Sequence, residues 1–388
     1  MKKVAATSMV LLLVLACHTD RIVGQDGDVT IHGNLRVLVV EGTPHERGVQ
    51  HGTLLKEVIQ QLVDVWKNDL ERTYQMDPDS FVSQFVEETD FLSAIRQHTP
   101  DLLEELQGMA EGADIDFNTL YAYQLVDEMW VLGQEITVQK CTSFGVNRTE
   151  NYPTLTAQNL DIPFFHGYQT LLHSKDPDKN MESFAFTFPG YIGANGMNSK
   201  RVSVVVNAIM QLKPSRSGLP VAFVVRGVLE KNSYQEAVQF LEEVTFGAPQ
   251  NYLVGGIQQM GSYECSEDEV AEFIPFEGAY FTYHTNHPLV NDNYTDGFLN
   301  YLDAEGMTLE EYQGRCLRFN SLQAHYPDNN AVFDADTMKS IFSRRDWGIN
   351  NQSTFGCTIM VLSDPPELLV SPGRPDEHPF LRFTFGAN

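Results

Sequence analysis

The stretch from Cys141 to Asp161 constrains this chain more than any other. Thr142-Ser143-Phe144-Gly145-Val146 and Thr154-Leu155-Thr156-Ala157-Gln158-Asn159-Leu160 are rich in strand formers. Glu150, Asn151 and Pro153 between them suit a connecting loop. The pattern predicts a β-hairpin with a cysteine at its first position and a carboxylate, Asp161, at its last. A cysteine opening a strand is uninformative alone, since most lone cysteines are small buried hydrophobes.

Lys140-Cys141-Thr142-Ser143-Phe144 followed by Gln158-Asn159-Leu160-Asp161 resembles the acyl-coenzyme A:6-aminopenicillanic acid acyltransferase family of N-terminal-nucleophile hydrolases. Further marks of that resemblance are Gly42-x-Pro44-x-Glu46-x-Gly48-x-x-x-Gly52 near the start and Gly190-x-x-Gly193-x-Asn195-Gly196-x-Asn198 in the middle. Thr285-Asn286-His287 and the run Gly373 to Phe380 extend it toward the end. The resemblance implies self-cleavage between Lys140 and Cys141, after which the two fragments stay associated. The freed Cys141 then carries both the attacking sulfur and an α-amino group. It also implies a four-layer α-β-β-α sandwich, whereas pattern alone gives only α+β with non-local strand pairing.

The chain departs from the family at two places. Lys140 stands where the penicillin-type enzymes have a small residue. A Ser-x-Cys-Arg-like segment near the C-terminus has no counterpart, and Arg344, Arg345 and Arg374 are the candidates to replace it.

A thiol titrating at about 8.5 and an α-amino group at about 7.7 to 8.0 can exchange a proton near neutrality without a histidine. The resemblance, which places an asparagine in the same Thr-Asn-His setting, implies Asn286 rather than Asn195 or Asn198 as the oxyanion donor, and its amide donates hydrogen bonds without carrying charge. Asp161 either orients the amine or substrate or is a buried structural carboxylate. His284 and His287 lack a third ligand in pattern, and His45, Glu46 and His51 miss the spacing of a zinc helix and read as helix-surface or capping residues. No metal and no cofactor is expected.

The net charge of −26 over 388 residues disfavours nucleic acid as a partner. Lys2 and Lys3 precede an apolar run, Val4 to Ala16, that is shorter than the about 18 residues of a membrane span. Ending in Leu15-Ala16-Cys17, residues 1–17 read as a signal peptide with Cys17 as the lipidated residue, or as an ordinary discarded signal. Either reading implies export, and the lipid would be its sole membrane contact. Residues 18–33 read as a polar tether and 34–388 as the hydrolase domain, with 34–140 largely helical. Cys265, Cys316 and Cys357 permit one disulfide or three reduced thiols.

The chain is thus expected to be an exported amidohydrolase or acyltransferase acting on linear amides of a small-molecule substrate. The competing reading is a catalytically silent lipoprotein of the same fold that binds a peptide or small amide. A specialisation toward bile-salt or N-acyl lipid amides is the third.

Overall fold

The computed structural model describes residues 21–24, 27–133, 141–162 and 164–386. The expected signal and lipidation segment, Cys17 included, and the residue preceding the scission point, Lys140, lie outside the described residues.

Strand β1 (Arg21–Gly24) pairs antiparallel with β2 (Gly27–His32), and β2 with β3 (Leu35–Glu41). Much of the expected tether is therefore strand. Its polar composition hid a short run whose main-chain groups pair with β3 in the register Val29 opposite Leu38.

Helices follow. Thr43 caps α1 (Pro44–Leu54) through a capping box with Glu46, and Pro44 takes the first turn. Leu54, Leu55, Val58, Ile59, Leu62 and Trp66 fall at helical spacing and predict one face of the helix that Thr43 and Pro44 open; that helix breaks at Leu55 instead, so α2 (Lys56–Tyr74) starts afresh and buries Ile59, Leu62 and Trp66. Then come α3 (Pro78–Glu87), α4 (Phe91–His98), α5 (Pro100–Ala113), α6 (Phe117–Tyr123) and α7 (Val126–Leu132). Helices α1 and α5 touch backbone to backbone. A Cβ on Gly48 would lie 1.9 Å from the Glu105 carbonyl oxygen, and one on Gly108 would lie 2.2 Å from that of His45. The glycine spacing of the N-terminal pattern thus serves helix packing.

His51 is buried rather than on the helix surface, and its Nε2 accepts from the Gly190 N–H at 3.3 Å. Nearby, Arg226 grips Glu105 with two bonds of 2.9 Å while Arg47 reaches the same carboxylate at 3.3 Å. Burial pushes Glu105 up, but Arg226 and Arg47 together outweigh it and hold its carboxyl at about 2.

The hairpin is as expected: β4 (Thr142–Val146) and β5 (Leu155–Asp161) pair antiparallel with Thr142 opposite Asn159. The chain continues through β6 (Thr170–Asp176), β7 (Met181–Thr187), β8 (Asn195–Asn198), β9 (Ser203–Ala208), α8 (Val221–Leu229) and α9 (Tyr234–Glu243). Next are β10 (Gln250–Gly255), β11 (Met260–Cys265), β12 (Val270–Glu272) and β13 (Phe281–His284). The run Glu272 to Phe276 reads as a strand from its sequence, whereas β12 ends at Glu272. Helices α10 (Asp296–Glu305), α11 (Leu309–Gln313), α12 (Leu317–His325) and α13 (Ala335–Phe342) precede the closing strands. These are β14 (Thr354–Val361), β15 (Glu367–Ser371) and β16 (Leu381–Thr384).

The strands form a ten-stranded sheet, β1-β2-β3-β6-β7-β8-β9-β10-β11-β12, and a six-stranded sheet, β13-β4-β5-β14-β15-β16. All named pairs are antiparallel except β3 with β6. Side chains alternate along β4 and β5. Ser143, Thr156 and Gln158 face the larger sheet, where they bond Asn207, Ser203 and the Val206 carbonyl. Phe144, Leu155 and Ala157 face outward into a core shared with α12 and α13. Helices α1, α8 and α9 cover the larger sheet. This is the four-layer α-β-β-α sandwich.

Candidate active site

Cys141 immediately precedes β4, and Asp161 is the last residue of the neighbouring β5. The hairpin therefore brings both ends of the predicted stretch together. The Asp161 N–H donates to the Cys141 sulfur at 3.3 Å, and the sulfur lies 3.8 Å from the Asp161 carbonyl oxygen. The Asp161 carboxylate accepts from the side-chain amide of Asn351. Asn351 thus joins the group around Cys141.

Arg318 was not anticipated. Its guanidinium donates to the Cys141 carbonyl, to Thr142 Oγ1 at 3.1 Å and to Asn286 Oδ1 at 3.1 Å. The sequence places it beside an apolar stripe, Tyr312, Cys316 and Phe319, that predicts one helix. The chain instead breaks between α11 and α12, and Arg318 sits in the first turn of α12. An arginine flanking that stripe was the only signal. Arg344, Arg345 and Arg374 engage Asp346, Asp376 and Glu377 instead.

Asn286 follows β13 and joins the same group. Its Nδ2 donates to the Ala208 carbonyl at 3.0 Å while its Oδ1 accepts from Arg318, which fixes the orientation of the amide. Buried Glu264 anchors this loop by accepting from the N–H groups of Leu289, Val290 and Asn291 at 2.7, 3.0 and 2.8 Å. It also meets His284 Nε2 at 2.7 Å, so His284 is engaged in holding the loop. Asn195 and Asn198 sit elsewhere: Asn195 bridges the sheets to Gln158 at 2.7 Å, and Asn198 holds the Leu229 carbonyl at 2.9 Å. The described cysteines, Cys141, Cys265, Cys316 and Cys357, are all free thiols.

Burial pushes the Cys141 thiol up to about 12, and the Asp161 carboxylate adds to the rise. The Asp161 N–H and Arg318 pull the other way without reversing it. In this folded arrangement the sulfur is a thiol at neutral pH. A local base is what the chemistry needs.

Cys141 lines a narrow cleft walled by Trp130, Phe164, Phe188 and Val206. Asp127 and Gln250 supply its polar groups.

A sequence profile of the family described as acyl-coenzyme A:6-aminopenicillanic acid acyl-transferase matches residues 147–365, more than half of the chain. The matched span begins after Cys141 and contains Asp161, Asn286 and Arg318. An acid ceramidase of Heterocephalus glaber is 22% identical over 63% of this chain and 66% of its own length. The 40 kDa form of acyl-coenzyme A:6-aminopenicillanic-acid-acyltransferase of Emericella nidulans is 26% identical over 65% of this chain and 69% of its own. The chain thus spans about two thirds of these relatives. Among solved structures, a mutant conjugated bile acid hydrolase of Clostridium perfringens superposes with a TM-score of 0.36 at 13% identity, covering 63% of this chain and 97% of that one. Penicillin V acylase of Agrobacterium tumefaciens gives 0.36 at 16%, covering 59% and 82%. At such scores neither bears on the assignment. On the profile match over residues 147–365, the chain belongs to the acyl-coenzyme A:6-aminopenicillanic acid acyl-transferase family.

Proposed function

We propose that this chain is an exported, self-processing cysteine amidohydrolase or acyltransferase that cleaves linear amide C–N bonds through an acyl-enzyme on Cys141. The observation that carries the reading is that Asp161 and Arg318 both bond Cys141, with Asn286 held by the same Arg318, beside an apolar cleft that Cys141 lines.

Scission before Cys141 converts an amide nitrogen, which has no basic lone pair, into an amine. That amine takes the thiol proton, the sulfur attacks the substrate carbonyl, and the same amine returns the proton to the leaving nitrogen. Asn286 has two amide hydrogens, and only one is donated to Ala208. The other stabilises the developing oxyanion. Arg318 fixes the Asn286 amide and the Cys141 carbonyl relative to each other, and the Asp161 carboxylate orients the α-amino group. Water then releases the acyl group, because coenzyme A thioesters are not expected outside the cytoplasm.

Export rests on Lys2, Lys3 and the apolar run to Ala16, with Cys17 as the lipid-bearing residue of a membrane-anchored form. The apolar cleft suits an N-acyl amide with an apolar group, and ceramide, the substrate in the ceramidase's name, is the first to screen together with bile-salt amides.

Intact mass and N-terminal sequencing of purified protein, with amine release from such amides, test the reading. The expected result is two fragments, the second beginning Cys-Thr-Ser-Phe, and activity lost in Cys141→Ala, which stays whole. A wild-type chain that stays whole and releases nothing while binding amides would instead make it a binding lipoprotein of the same fold.

A further inference from the structure

The cleft beside Cys141 is apolar except at one wall. There, Asp127 on α7 and Gln250 at the start of β10 stand together. The Asp127 carboxylate accepts from the Tyr191 hydroxyl at 3.2 Å and from Gln250 Nε2 at 3.4 Å. Two neutral donors at such distances leave acceptor capacity on a group with about four lone-pair positions. The second observation is Gln250 Oε1, which is buried and has no hydrogen-bond partner among the described residues. Turning the Gln250 amide over would aim its oxygen at the Asp127 carboxylate, so the observed orientation is the favourable one. The Asp127 carboxylate therefore keeps acceptor capacity at the polar wall of an otherwise apolar space, and the unmet Gln250 oxygen behind it adds to an excess of acceptors there.

We propose that Asp127, with Gln250, is a specificity determinant: it recognises a hydrogen-bond donor, a hydroxyl or an ammonium, on the apolar substrate group that enters this cleft, and excludes groups that end in a carboxylate. This rests on the cleft being the place where Cys141 meets its substrate. Burial pushes the Asp127 carboxyl above the usual range, while Tyr191 and Gln250 pull it back. Both of its protonation states retain acceptor oxygens, whereas the exclusion of a carboxylate operates where Asp127 is ionised.

The test uses three methyl ketones of one chain length, which cannot be hydrolysed, ending in a methyl, a hydroxyl or a carboxylate group. Their binding to the full wild-type protein and to Asp127→Asn is measured by calorimetry, and the three matched amides are assayed for turnover in parallel. The wild type should bind the hydroxyl-ended ketone about tenfold or more tightly than the methyl-ended one, in keeping with a hydrogen bond to a charged acceptor. It should bind the carboxylate-ended ketone at least about tenfold more weakly than the methyl-ended one. In Asp127→Asn the discrimination against the carboxylate should largely vanish.

An unchanged ranking in the two proteins overturns the assignment. Should Asp127→Asn fail to fold, a wild type that does not favour the hydroxyl end overturns it equally. Ranked binding without turnover leaves this assignment standing and sinks the hydrolase reading, and turnover without ranked binding does the reverse.

Discussion

The backbone N–H of Asp161 donates to the sulfur of Cys141 at 3.3 Å, so the end of one hairpin strand fixes the side chain that precedes the other. That bond favours thiolate, yet burial dominates and pushes the thiol to about 12. In uncut protein, Cys141 should alkylate with iodoacetamide roughly 10³-fold more slowly at pH 7.5 than a free cysteine, and its rate should keep climbing above pH 9. Once the chain is cut, an inflection near the about 7.7 to 8.0 of an α-amino group should appear. Peptide mass mapping separates Cys141 from the other thiols. A rate in uncut protein that plateaus near pH 8 would contradict the burial argument.

Arg318 is the next point of attack. It spans Thr142 and Asn286, so its loss should free the Asn286 amide, the proposed oxyanion donor, without disturbing the sheets. Arg318→Ala should lower kcat for amide release by about 10²-fold, the scale of losing one oxyanion donor. Arg318→Lys keeps the charge but not the two-armed fork and should recover only part of that loss. A change confined to KM would mean that Arg318 binds substrate rather than ordering Asn286.

Why the hairpin was legible while Arg318 was not follows from range. Strand formers, the loop at Asn151 and Pro153, and the capping box of Thr43 with Glu46 are local chemistry that a short window reports. Arg318 meets Cys141 across 177 positions, and nothing near either residue announces the other. Asn286 was found only through its Thr-Asn-His setting. Strand β11 was missed because Gly261, Ser262 and Glu264 are poor strand formers, and Glu264 is accommodated by His284 and a loop about 20 or more positions away. His51 read as a surface residue because its partner, Gly190, lies 139 positions on.

The contact between α1 and α5 makes a sharp stability prediction. In Gly108→Ala the new Cβ would meet the His45 carbonyl oxygen at 2.2 Å and the Val49 nitrogen at 3.0 Å, both of them backbone. Neither helix can yield without moving the Arg47–Glu105–Arg226 cluster, so the loss should be about 3 kcal/mol or more, at the upper end for overpacking. Gly297→Ala in α10 is the control, because its nearest neighbour is Thr295 Oγ1 at 3.9 Å. That variant should melt at or slightly above the wild type. Equal melting temperatures for the two variants would show that the helices are not pinned.

Glu128 on α7 ties that helix to the start of α8 at a charge-sensitive point. One carboxylate oxygen accepts from the Val221 N–H at 2.9 Å, while the other is buried with no partner among the described residues. Burial, and then the neighbouring Asp127, push its carboxyl up from 4.5 to about 8. The folded-state value lies above the unfolded one, so the folded chain holds the extra proton between them. This group's stabilising share is therefore complete below about 4.5 and is lost as pH rises through about 8. Glu128→Gln keeps an acceptor for Val221 and carries no charge at any pH. Its melting temperature relative to the wild type should therefore rise steadily from pH 5 to pH 8.5, by about 2 °C or more across the range. A difference that stays flat, or falls toward alkaline pH, would mean that Glu128 is ionised and accommodated in the folded protein throughout.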